Sequence, residues 1–235
     1  MTVTEVMDEL KSYSNENTKK IGLKHGAKEP LFGVKVQDLK KIQKKVKKDY
    51  QLSLDLYDTG NSDAMYLAGL ITDEGKITKK DLNKWVKKAY WYMLSEYTVA
   101  WIASESKHGY DLALKWIESD KEGIAAAGWA TLSCCSTLKQ DEDLDITNYK
   151  KLLNRIPKEI DKAPNRVRYT MNGFVIAVGA SITGLTKQAM KIAEKIGKVE
   201  VNMGSTSCKV PLATESIQKI IDKERVGKKR KTARC

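Results

Sequence analysis

Four aromatic side chains stand where they could meet a ligand: Tyr97, Trp101, Trp129 and Phe174. The last three each follow a small residue in an apolar run of helical periodicity, in the segments YTVAW, AAGW and YTMNGF. Aromatic faces presented on a cationic surface stack on nucleobases or pack against sugars. The same spacing also serves an ordinary helix core. Asn165, Arg166 and Arg168 open a further helix immediately after Pro164, a favourable first-turn position for proline. Backbone amides and guanidinium groups combined at a helix start suit a phosphate, or alternatively surface salt bridges. The terminal run GKKRKTARC places Lys228, Lys229, Arg230, Lys231 and Arg234 on a segment without apolar periodicity. It reads as a flexible or loosely docked arm that either grips phosphates or is a solvated tail that aids solubility.

Other chemistries lack their residues. The two histidines, His25 and His108, are far apart in sequence and belong to no zinc-binding or nucleophile-activating pattern. No glycine-rich phosphate loop of the GxxxxGK[ST] or GxGxxG kind occurs. Asp141, Asp143 and Asp145 alternate like a calcium loop, but the sixth and twelfth positions are Ile146 and Leu152 where glycine and glutamate are required. No metal and no cofactor is expected. Cys134, Cys135, Cys208 and Cys235 form no CxxC pair, so free thiols and a cytoplasmic location are expected.

The chain has 235 residues with 42 Lys and Arg against 30 Asp and Glu, a net charge of +12. Such a surplus points to a polyanion, usually nucleic acid. It is concentrated in the terminal run and in the segment 35–48, which holds seven lysines and Asp38. In that segment Val36, Leu39, Ile42 and Val46 recur at helical spacing, so it reads as an amphipathic helix with a basic exterior. The longest uncharged stretch, Tyr169 to Thr186, is shorter than the ~20 residues of a membrane span and reads as a buried helix with its exit turn.

These segments are held by helices almost throughout. Helical patterns cover 3–14, 16–25, 35–48, 51–58, 62–73 and 79–89, the last capped by Thr78. They continue over 91–103, 109–119, 123–138, 149–160, 164 onwards, 186–196 and 213–225. The pattern breaks at 198–210, which suits either a short β-hairpin or an extended loop. The aromatic-after-small motif recurs at intervals of 28 and 45 residues, near the ~40–47-residue period of HEAT repeats. The expected fold is therefore all-α: a HEAT-like α-α superhelix, a curved solenoid of antiparallel helix pairs. It forms a single domain over 1–227, with 228–235 as a basic tail, and is expected to be monomeric.

The segments SEYTVAWIASES, the GWA helix and NRVRYTMNGF, with Pro30-Leu31-Phe32-Gly33-Val34 ahead of a basic helix, resemble the DNA alkylation repair family. These are HEAT-repeat proteins typified by the AlkD-like DNA glycosylases, and the resemblance spans roughly residues 15–225. It implies that a concave basic face binds duplex or damaged DNA and that alkylated purines are excised. The family's motif is an aromatic followed four residues later by a catalytic aspartate. Aligned on Tyr97, the aspartate position is Trp101, a family arginine falls near Ala126, and the third-repeat tryptophan is Phe174. The chain thus reads as a divergent member without the usual aspartate, with Glu96 or Glu105 as substitute carboxylates. A non-catalytic DNA-structure binder and a HEAT-type protein scaffold are the alternatives.

Overall fold

The computed structural model describes residues 1–234. Thirteen α-helices follow one another: α1 (Val3–Ser12), α2 (Glu16–Lys24), α3 (Val36–Val46), α4 (Tyr50–Asp58), α5 (Ser62–Ile71), α6 (Lys79–Lys88), α7 (Ala100–Glu105), α8 (Gly109–Trp116), α9 (Glu122–Leu138), α10 (Ile146–Glu159), α11 (Asn165–Ser181), α12 (Thr186–Ile196) and α13 (Ala213–Asp222). A π-helical segment, Met93–Val99, runs directly into α7.

Local chemistry sets many of these boundaries. Thr2 with Glu5 and Thr78 with Asp81 form reciprocal capping boxes at the starts of α1 and α6. Gly26 and Gly197, both at positive φ, follow α2 and α12. Pro157 sits within α10, whose helix continues past it to Glu159.

The helices form two layers. Helix α5, the π-helical segment with α7, then α9, α11 and α13 pack each against the next as an inner layer. Helices α4, α6, α8, α10 and α12 lie behind them, each contacting the inner helix before or after it. Gly128 permits one of these close approaches: a Cβ there would stand 2.7 Å from the Ile117 amide nitrogen. Because each outer helix runs antiparallel to its inner neighbours, the inner helices are mutually parallel. Their N-termini line one edge of the molecule and their C-termini the other. Two hydrophobic clusters fill the space between the layers, one built on α1–α7 and one on α9–α13.

Here one open alternative is decided and one expectation is corrected. No strand occurs among the described residues, and 198–210 is an extended loop. It has no partner strand; its anchors are side chains of α11, since Asn165 exchanges two hydrogen bonds with the Asn202 backbone and Asn172 donates to the Pro211 carbonyl. The terminal run is also no loose arm. Ala233 is 1% exposed and belongs to the N-terminal cluster. Lys229 donates to the Ser136 and Ser181 carbonyls and to Asp141. Arg234 pairs with Glu105 and Glu74 and donates to the Leu70 and Thr72 carbonyls. These carbonyls end α5, α9 and α11, so the cations complement three helix C-termini at once. Cys235 lies outside the described residues.

Candidate functional site

At the opposite edge, where the inner helices begin, charged and aromatic groups converge. The start of α5 is tied down first. Asp63 accepts from the amides of Phe32, Gly33 and Val34 at 2.6–3.0 Å, which fixes the loop between α2 and α3. Gly33 has φ +76°, and a Cβ there would meet the Lys19 amide nitrogen at 2.4 Å. Burial pushes the Asp63 carboxyl up, and the three amides oppose that shift.

The turn before the π-helical segment carries Trp91 and Tyr92. Trp91 Nε1 donates to the His25 carbonyl at 2.8 Å, and His25 Nδ1 lies 3.1 Å from the Tyr92 hydroxyl. The end of α2 is thereby pinned to the inner layer. In a π-helix the i→i+5 bonds widen the turn, so residues about five apart share a face. Tyr92, Tyr97 and Trp101 follow this rule, with neighbouring rings 6.5 and 5.7 Å apart.

Arg166 reaches back from the first turn of α11 to close the cluster. Its Nε and Nη2 donate to Glu96 Oε1 and Oε2 at 2.7 and 2.5 Å, a bidentate pair. Its guanidinium carbon lies 4.3 Å from the ring centroids of both Tyr92 and Tyr169, so the cation is also held by two aromatic faces. Its Nη1 has the Met203 sulfur at 3.7 Å. The Glu96 side chain is 3% exposed and that of Arg166 17%. Burial pushes the Glu96 carboxyl up and Arg166 pulls it back, leaving it above the ordinary carboxylate value. Arg166 is held above its ordinary value: burial works against its charge, and the Glu96 carboxylate outweighs that. Burial next to Tyr169 and Glu96 pushes the Tyr97 hydroxyl up to about 12.

The residues singled out from the sequence do not all come together. Glu96, Arg166 and Tyr97 meet in this cluster. Trp129 and Phe174 are fully buried and pack edge to face at 5.1 Å, and Trp101 is 6% exposed beneath Tyr97 and Tyr66. They are core, because the inner helices turn those faces toward the outer layer and one another. Glu105 is at the far edge, accepting from Thr232, the Ala233 amide and Arg234. There it anchors the chain terminus and is remote from Glu96. The start of α11 is not open to a phosphate as expected. Glu122 accepts the Arg166 amide at 2.6 Å, and Asn165 is engaged with Asn202. Arg168 Nε is buried without a hydrogen-bond partner. Of the terminal cations, Lys229 and Arg234 are consumed as anchors, whereas Lys228, Arg230 and Lys231 are exposed.

Tyr92, Tyr169, His25 and Trp91 were not singled out in advance. A signal for two of them existed: Tyr92 stands four residues before Glu96, the aromatic-to-carboxylate spacing that the resemblance implies, one turn ahead of the register through Tyr97 and Trp101. Tyr169 stands three residues after Arg166 on the same helix face. Among the described residues no group of three or more His, Cys, Asp or Glu is placed to hold a metal ion, and no helix is long and apolar enough to cross a membrane.

Stacked helix pairs with a continuous inner layer define a HEAT-like helical-repeat superhelix, carrying at one edge an aromatic cage around an arginine–carboxylate pair. A solved structure from "a new family of proteins related to the HEAT-like repeat DNA glycosylases with affinity for branched DNA structures" matches over the whole of both chains, with a TM-score of 0.92 and 39% identity. A family model described as DNA alkylation repair enzyme matches residues 6–201, and the chain belongs to that family. Uncharacterised proteins of Listeria innocua (Lin0241) and Listeria monocytogenes (Lmo0209) are 34% and 35% identical over 225 residues, 93% of this chain and 97% of theirs.

Proposed function

We propose that this protein binds DNA along the edge where its inner helices begin, favours branched DNA over continuous duplex, and excises no base. The observation that carries the last part is the state of Glu96. A glycosylase carboxylate must face the cationic sugar that develops as the base departs. Glu96 has both oxygens committed to Arg166 and is almost wholly buried. Its charge is already neutralised, so it offers little to a second cation. Glu105 is committed to the chain terminus.

DNA binding is supported by the family, by the stated affinity of the structural neighbour, and by the +12 charge. Lys24 at the end of α2, Lys28 beyond it, Lys121 before α9 and Lys162 before α11 are exposed at this edge. Each lysine that meets a phosphate releases about one counterion and steepens the salt dependence accordingly.

The test is a titration of a four-way junction and of a matched duplex at two salt concentrations, beside base release from methylated duplex. Salt-sensitive binding that favours the junction, without release, is expected. Release that disappears in Glu96→Gln would restore a glycosylase. Negligible affinity for both DNAs at low salt would point to a protein scaffold instead.

A further inference from the structure

His25, Trp91 and Tyr92 form a wall shared by two cavities. Arg166 and Lys24 line the first, which opens beside the Glu96–Arg166 cluster. The other, of about 280 Å³, lies between α2, the start of α3 and the start of the π-helical segment, and is overwhelmingly apolar, with Ile21, Val36, Leu39 and Met93 in its lining. Ile21, Leu23 and Val36 are 57, 41 and 39% exposed; Met1 is the one other large hydrophobic so exposed among the described residues. Helix α2 buries none of its residues fully. Apolar surface concentrated in this way around a cavity marks a binding site.

We propose that this second cavity receives an unpaired nucleobase from a DNA branch point. The proposal rests on the DNA-binding reading above and names the group that the same edge recognises. Three observations favour a base. The volume is at the small end of ligand pockets, ~300 Å³, which suits one planar ring system rather than a peptide side of a partner protein. The lining joins three aromatic residues, Tyr66, Trp91 and Tyr92, to aliphatic ones, and any base gains from such contacts irrespective of its identity. Cations flank the slot: Lys35 at its rim, Lys24 across the wall, and Arg166 Nη1, which no carboxylate oxygen occupies. A small apolar cavity beside cations matches a nucleotide, whose base is uncharged and whose phosphate is anionic. A continuous duplex keeps its bases stacked and must be opened to offer one, whereas a branch point offers an unpaired base at little cost. The cavity thereby supplies a reason for branch preference that phosphate contacts alone do not.

The experiment compares three DNAs by fluorescence anisotropy with the full chain: a duplex, a three-way junction with one unpaired adenine at the branch, and the same junction with an abasic residue there. The wild type is expected to bind the adenine junction about ten-fold more tightly than the abasic one. Ile21→Ser with Val36→Ser, both at exposed positions, is expected to remove most of that preference and leave duplex affinity unchanged. Equal affinity of the wild type for the adenine and abasic junctions overturns the pocket and leaves DNA binding intact. A preference undiminished in the double variant overturns it too. Absence of binding to all three DNAs overturns the DNA-binding reading itself.

Discussion

Removing Arg166 separates a structural role for Glu96 from a catalytic one. In Arg166→Ala the Glu96 carboxylate, 3% exposed, keeps its burial and loses its partner. Leaving one member of a buried pair uncompensated costs about 3–5 kcal/mol. For a chain of this size 1 kcal/mol moves the midpoint by ~2–4 °C, so a fall on the order of 10 °C is expected. Glu96→Gln leaves the opposite orphan, a guanidinium 17% exposed that still has two aromatic faces and some access to water. Its cost should be smaller, about 1–2 kcal/mol. The double variant should be more stable than the sum of the two predicts, because neither charge is then stranded. The sign with pH follows from burial. Burial already pushes the Glu96 carboxyl up, and without Arg166 the opposing influence is gone. A carboxyl whose folded pKa lies above its unfolded value destabilises as pH rises past the unfolded value, so the Arg166→Ala deficit should be smaller at pH 5 than at pH 8. Thermal melts followed by circular dichroism at both pH values measure it. A deficit under about 1 kcal/mol, or a larger cost for Glu96→Gln than for Arg166→Ala, would falsify the buried-pair reasoning.

Three further outcomes follow from the geometry. Arg234→Ala should cost about 2–3 kcal/mol, below the full buried-pair figure because Glu74 is partly exposed and keeps Lys48, while Glu105 keeps the Ala233 amide; denaturant titration reads it, and an unchanged midpoint contradicts tail docking. Burial works against the Glu74 charge, but Lys48 and Arg234 hold its carboxyl down to about 2; its contribution is full above the ordinary carboxylate value and fades as pH falls toward about 2, so the stability gap between wild type and Glu74→Gln should close over that window. Burial pushes the Cys134 and Cys135 thiols up to about 11 and about 12, whereas Cys208 is exposed; alkylation at pH 7.5 followed by peptide mass mapping should mark Cys208 well before either, and equal rates would contradict the burial.

The sequence by itself determined the helices and their pairing. Periodic apolar residues, the Thr78 cap and the glycines at positions 26 and 197 act within a few residues of themselves, so their consequences are readable locally. The uncharged stretch from Tyr169 to Thr186 likewise announced a buried helix and its exit turn. Family membership was legible for the same reason, since it rests on segments whose order survives divergence. Tertiary structure alone decided which side chains face a ligand. Trp101, Trp129 and Phe174 share a sequence motif and are all buried, whereas Tyr97, outside that motif, is half-buried and joins the cluster, because the rotation of each inner helix is set by neighbours far along the chain. Glu96 and Arg166 are separated by 70 residues, and Arg234 and Glu105 by 129. Such charges look solvated in sequence and become pairs only when parallel helices bring their like ends to one edge. A carboxylate's chemistry depends on what occupies its oxygens, and here those partners come from other repeats.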